Sequence, residues 1–174
     1  MTGGGERNGD HEGEPIPPHL RHWPGLSVRE GGRIVAAPPD DVAVAKGYPT
    51  AADKGTVVGG KRLTLLTAKL RYTPGEEVRV IHVLEAVEPG GEIFVMGPKR
   101  IYGEYVDGVP VTPESAPETV YDGPVLETPN VDYNYEITSY RFARPGRHRI
   151  HWQMGPVRSN TLEIEVVPDN QTSR

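Results

Sequence analysis

Between Glu136 and Glu163 the chain carries no acidic residue, but it has five arginines, Arg141, Arg144, Arg147, Arg149 and Arg158, with His148 and His151 among them. Period-two alternation from Arg147 puts Arg147, Arg149 and His151 on one side of a strand and His148, Ile150, Trp152 and Met154 on the other. Clustered guanidinium groups bind phosphates and carboxylates through forked hydrogen bonds. Arg147, Arg149, His151 and Arg158 are therefore candidate residues for an anionic ligand or an acidic partner. The alternative needs no partner: Glu163 and Glu165, on the strand expected beside them, would pair with the arginines across the hairpin.

Other constellations are weaker. His19 and His22, with His11 upstream, have a generic metal-ligand spacing that no cysteine or carboxylate set completes. His148 and His151 lie three apart on a strand and so point to opposite faces. Asp132, Asn134 and Glu136 match the start of a calcium loop, but Ile137 stands where that loop needs glycine and Ala143 where it needs an acid. These three are expected on the wet face of a strand whose other face is Val131, Tyr133, Tyr135 and Ile137. Six of the eight tyrosines fall between Tyr102 and Tyr140; together they suit a sugar-stacking platform if exposed and sheet packing if buried. Tyr135 or Tyr140 is a candidate for a corner hydroxyl that bonds backbone near Pro145-Gly146. Ser139, His82 and Asp107 supply a nucleophile, a base and an acid in name only, because nothing in their spacing joins them. The motifs point away from an enzyme, and neither a metal nor a cofactor is expected.

Composition narrows the field further. With no cysteine, disulfides, thiolate metal sites and thiol nucleophiles are excluded together. A net charge of −5 opposes general nucleic-acid binding. The first residues, Met1-Thr2-Gly3-Gly4-Gly5, lack the apolar core of a signal peptide, and no stretch of the sequence reads as a membrane span. A cytoplasmic or assembly-associated protein is the expectation.

These side chains must be positioned by strands. Residues 1–60 hold 12 glycines and 7 prolines, whereas 61–174 hold 9 and 11 in nearly twice the length. The first 61 residues thus read as an extended Gly/Pro-rich arm, with Arg33 to Ala37 a short strand and Leu20, Trp23, Leu26, Ile34, Val35 and Val42 free to dock on something. From Arg62 the signals change: Leu63 to Leu70, Glu77 to Leu84 and Glu92 to Met96 read as strands. Ile101 to Val106 and Val109 to Val111 flank the hairpin pair Asp107-Gly108. Val131 to Ser139, Arg147 to Met154 and Leu162 to Val166 alternate strictly. No helical period is sustained anywhere, which predicts an all-β domain over 62–167 that folds without the arm, followed by a polar tail at 168–174.

Seven or so strands in this span suit a two-sheet antiparallel β-sandwich. The segment Tyr140-Arg141-Phe142, Pro145-Gly146, His148 and Ile150, followed by Ser159-Asn160, Leu162, Ile164 and Val166, resembles the closing half of bacterial immunoglobulin-like or fibronectin-like modules. Tyr72-Thr73-Pro74-Gly75-Glu76 with Val78 is similar to their opening. The resemblance covers residues 62–167 and implies a fold rather than an activity. The sequence therefore predicts a non-enzymatic interaction protein docking on a larger protein assembly, as an accessory subunit or a virion decoration protein, through its arm (Trp23 foremost) and its sandwich surface. The alternatives are a small module binding an anionic or carbohydrate ligand, and a small enzyme with a site among the loops.

Overall fold

A computed structural model describes residues 15–118 and 121–169. A single 3-10 turn, Pro18–Leu20, precedes a hairpin of β1 (Ser27–Glu30) and β2 (Arg33–Ala36). Helix α1 (Pro39–Lys46) follows, with proline in its first turn beside Asp40 and Asp41, and Lys46 in its last turn. That charge order matches the helix dipole. A second 3-10 turn, Tyr48–Thr50, leads to β3 (Lys61–Leu66), β4 (Arg71–Tyr72), β5 (Glu77–Ala86) and β6 (Ile93–Phe94). Next come β7 (Glu104–Val106), β8 (Val109–Pro110), β9 (Val125–Leu126) and β10 (Asn130–Asp132). The last strands are β11 (Thr138–Arg141), β12 (Gly146–Met154), β13 (Val157–Arg158) and β14 (Leu162–Val166).

The all-β class holds. One sheet places β5 between β3 on one edge and β10 and β11; the other runs β4-β14-β12-β7-β8, with β13 on β12. Pairing is antiparallel except between β4 and β14, which run parallel. The Asp107-Gly108 hairpin forms as its residues require, with φ of 52° and 77° between paired Val106 and Val109. Leu63, Leu65, Val78 and Val80 from the first sheet meet Ile150, Trp152, Leu162 and Ile164 from the second in one hydrophobic core. Trp152 is 1% exposed. Met154 leaves this face despite its parity, because β12 ends there and its side chain is solvent-exposed.

The Ser159-Asn160 pair before the last strand ties the sheets together. Asn160 Oδ1 accepts the Leu65 N–H at 2.7 Å, and its Nδ2 donates to the Leu65 carbonyl at 3.1 Å. Ser159 Oγ accepts the Trp152 N–H at 2.8 Å. Asn160→Ala leaves the buried Leu65 groups without these partners, which costs about 1–3 kcal/mol. A urea titration checks this, and a loss under about 0.5 kcal/mol would show that the clamp contributes little.

The expectation of an extended arm over 1–61 is corrected where the chain is described. Leu20, Leu26, Ala37, Ala45 and Tyr48 are buried in a second hydrophobic cluster with Ile81, Val83, Val131 and Tyr133. Strand β5 is thus covered on both faces, with Val78 and Val80 toward one core and Ile81 and Val83 toward the other. Its nearly continuous apolar run has this cause, since a strand buried on both sides need not alternate. Two ion-pair sites fasten the cover: Asp41 receives the Arg79 guanidinium, at 2.8 Å for the closest approach, and His19 and Tyr48 converge on Glu85. Helix α1, absent from the sequence expectation, lies in this segment. Only Asp41 and Ala45 within it are buried, so its eight residues carry too short an apolar stripe to register as a period.

The unbroken strand expected over Val131 to Ser139 is a second correction. Opposite β5, residues 133–137 stand against residues 81–83, so the strand bulges outward between β10 and β11. At the bulge the Tyr135 N–H donates to the Tyr133 carbonyl at 2.9 Å, a three-residue turn. Tyr133 therefore enters the outer cluster and Tyr135 the inner core. Asp132, expected on a wet face, is buried; it pairs with Lys99 at 2.9 Å and accepts the Asn134 N–H at 2.9 Å.

Candidate functional site

Strand β12 presents Arg147, Arg149 and His151 outward, and β13 sets Arg158 opposite Gln153. Register places Arg147 opposite Glu165 and Arg149 opposite Glu163. Arg149 reaches Glu163 at 3.3 Å, but Glu165 turns to Arg71 at 3.4 Å. His151 stacks on Tyr105 with centroids 4.8 Å apart and planes 2° from parallel. Burial, then the charge of Arg158, pushes its imidazole below the ordinary histidine value, so it adds no cation at neutral pH. Arg147 and Arg158 have no ion-pair partner among the described residues. Six residues of strand, about 20 Å, separate them, too far to share one small anion. The basic window folds into an exposed surface of mixed sign rather than a converging anion site.

Trp23 is partly buried, packing on Tyr133 at 5.1 Å with the Lys46 ammonium 5.6 Å from its ring. It serves the chain's own second cluster. His19 bonds Glu85 while His22 is exposed, so this pair does not converge, and His11 lies outside the described residues. Ser139, His82 and Asp107 have three different partners: Ser139 donates to Glu77, His82 bonds Glu104, and Asp107 accepts from His148. The tyrosines likewise disperse. Tyr133 and Tyr135 are buried in separate clusters, and Tyr140 donates to Glu104 rather than to a backbone corner.

Two buried carboxylates were not legible as such. Glu104, 0% exposed, takes His82, Tyr140 and the Thr138 hydroxyl, the last at 2.6 Å. Burial by itself raises its pKa, yet the electrostatic pull of His82 and these hydrogen bonds outweigh it and hold the carboxyl below its ordinary value. Glu85, 1% exposed, accepts from Tyr48 at 2.5 Å and from His19 and Arg62 at 2.7 Å each. It too is held low, its three donors prevailing over burial. Both carboxylates are buried, and each joins separate elements of the fold.

The surface that remains is apolar. Strands β6 and β9 form a separate two-stranded ribbon pairing Ile93 with Leu126 and Phe94 with Val125. Ile93 is buried, but Phe94, Val95, Met96, Val125 and Leu126 are 38–52% exposed. Tyr121 packs on Phe94 with centroids 4.5 Å apart, and its hydroxyl lies 2.7 Å from the Val95 carbonyl and 2.6 Å from that of Pro124. A Cβ on Gly97 would meet Arg29 Nη2 at 2.8 Å and Ile34 Cδ1 at 2.9 Å, so the β1–β2 hairpin abuts the ribbon and its exposed Ile34 extends the patch. Between them a cleft of about 250 Å³ opens, lined by Pro24, Phe94, Val95, Leu126 and Tyr133 among others. Glu92 to Met96 reads in sequence as one more strand, and nothing local separates the buried Ile93 from its exposed neighbours. No helix among the described residues is long and apolar enough to cross a membrane. No family model, curated protein or solved structure matches this chain.

Proposed function

We propose that this chain is a non-enzymatic assembly domain, an immunoglobulin-like two-sheet sandwich that joins other protein chains through the β6–β9 ribbon. The exposed apolar ribbon is the observation that carries the reading. Contiguous apolar surface rimmed by polar residues marks protein contact sites, and a neighbouring cleft can seat an anchoring side chain. The N-terminal segment now supports this only indirectly. Most of its apolar residues cover the chain's own sheet, so the docking side is the ribbon with the exposed Ile34 beside it.

The test compares three tagged baits in affinity capture from the native source: wild type, Val95→Asp/Val125→Asp, and Arg147→Gln/Arg149→Gln. All three are first shown to melt alike. The expected result is that the proteins held by wild type are retained by the arginine variant and lost, by about tenfold or more, from the ribbon variant, because a charge buried at an interface without a partner is costly. Equal retention by the ribbon variant overturns the reading. Selective loss from the arginine variant would instead favour an acidic partner on the β12 face.

A further inference from the structure

We propose that the cavity at the C-terminal end of β12 binds a free amino acid whose side chain is apolar and hydroxyl-tipped, the chemistry of tyrosine. The site is separate from the ribbon and goes beyond the docking role. The cavity measures about 220 Å³ and lies among the residues before β7, the loop after β8 and the end of β12. That is several times the share of one water, about 30 Å³, and below the roughly 300–1,000 Å³ of drug-sized sites. A small molecule fits it.

Burial orders its walls. Tyr135 and Trp152, 6% and 1% exposed, form the floor, while Arg100, Glu114 and Met154 are exposed at the rim. The Tyr135 hydroxyl has no hydrogen-bond partner among the described residues, yet it is not sealed from solvent, so it opens into the cavity that this residue lines. A polar group at the bottom of an apolar cavity orients a ligand that carries a matching tip. Lys99, over the Tyr135 ring at 4.7 Å, is already paired with Asp132.

Arg100 and Glu114 are the only charged residues among the described ones lining the cavity. Neither has an ion-pair partner among the described residues, so they do not close on each other. Their backbones are nonetheless anchored. The Lys99 carbonyl accepts the Glu136 N–H at 2.8 Å, and the Ile101 N–H donates to Glu136 Oε1 at 3.0 Å, which holds the chain on both sides of Arg100. Next to Glu114, the Pro113 carbonyl accepts the Gly103 N–H at 2.7 Å, and the Gly103 carbonyl accepts the Gln153 N–H at 2.9 Å. Gly103 has a φ of 76°, and a Cβ there would meet the Gln153 carbonyl oxygen at 2.1 Å. Glycine is what lets the loop bearing Glu114 come this close to β12. Two anchored, unpaired charges of opposite sign at one rim match the carboxylate and the ammonium of an α-amino acid, the carboxylate on the Arg100 fork. The side chain then reaches down to the Tyr135 hydroxyl.

An amide chemical-shift titration of the isotope-labelled full chain with L-tyrosine tests this. The expected result is a saturable shift at Arg100, Glu114 and Gln153 with a Kd of about 1 mM or tighter, in keeping with the binding energy per atom of small ligands. Tyramine, which lacks the carboxylate, and hydroxyphenylpropionate, which lacks the ammonium, bind about tenfold or more weakly, and L-phenylalanine binds more weakly than L-tyrosine. Arg100→Gln brings tyrosine down to the affinity of tyramine, and Glu114→Gln down to that of hydroxyphenylpropionate. Both side chains are exposed, so folding is unaffected. Tyr135→Phe removes the preference for L-tyrosine over L-phenylalanine. No shift at these amides, equal binding of tyramine, hydroxyphenylpropionate or L-phenylalanine, or unchanged affinity in either charge variant overturns the proposal. The ribbon variant Val95→Asp/Val125→Asp binds tyrosine as wild type does; loss of binding there would place the probe on the ribbon and overturn the site.

Discussion

Deleting residues 1–59 is expected to abolish the cooperative unfolding transition of the remainder. Every strong turn and alternation signal lies after residue 61, which predicts that 62–167 stands alone; the packing predicts the opposite. Without the N-terminal segment, Ile81, Val83, Val131 and Tyr133 lose the cover of Leu20, Leu26, Ala37, Ala45 and Tyr48. Each large side chain so exposed forfeits about 1.5–3 kcal/mol, and several together match the whole net stability of about 5–15 kcal/mol typical of a domain. Glu85 loses His19 and Tyr48, and Arg79 loses Asp41. Denaturant melts of 60–174 beside the full chain check this. A sharp transition in the shortened chain would show that the second cluster is dispensable and that the boundary near residue 61 is a true domain edge.

Glu104→Ala is expected to cost about 1–3 kcal/mol or more, the penalty for leaving buried hydrogen-bonding groups without their partner. The cost arises because His82, Tyr140 and Thr138 all lose their acceptor in the core. Replacing both His82 and Glu104 by leucine should cost less than the sum of the single changes, and a double-mutant cycle measures the difference. A single-variant loss under about 1 kcal/mol would mean that the site admits water or repacks.

The same carboxylate sets part of the acid limit. In the folded chain Glu104 and Glu85 titrate below the ordinary range, whereas on unfolding they return to about 4.3. The unfolded state therefore binds more protons in that interval. The stabilisation is complete above the unfolded value and disappears as pH falls through the lower folded values. Glu104→Gln removes one of these protons from the balance, so its stability should fall less steeply below about pH 4.3 than that of wild type. Superimposable slopes would place the acid sensitivity in Glu85 and the exposed carboxylates instead.

Much of the strand architecture was legible because alternation is a local record of one-sided burial. Ile150, Trp152, Leu162 and Ile164 meet in the core as their parity required, and Asp107-Gly108 makes the turn that its tolerance of positive φ allows. The arginines of β12 were placed on the correct face, and Glu163 and Glu165 do stand opposite them, although only Arg149 and Glu163 close a pair. What the sequence by itself determined, then, is the all-β class, the position of the long strands β5, β12 and β14, the inward face of β12 and β14, and the exclusion of cysteine chemistry. Only the tertiary structure decided the rest. Whether Trp23 reaches a partner or Tyr133, whether Asp132 is wet or paired with Lys99, and whether β5 has one covered face or two all depend on contacts between residues far apart in the chain. The bulge at 133–137 turns Tyr135 to the face opposite Val131, Tyr133 and Ile137, through a single turn that side-chain pattern does not encode. Phe94 and Val95 carry the same apolar signature as core residues, and they remain exposed because nothing in the described chain covers β6 and β9. Hydrophobicity records what a side chain can gain by burial; which surface buries it is settled by the packing of every other element.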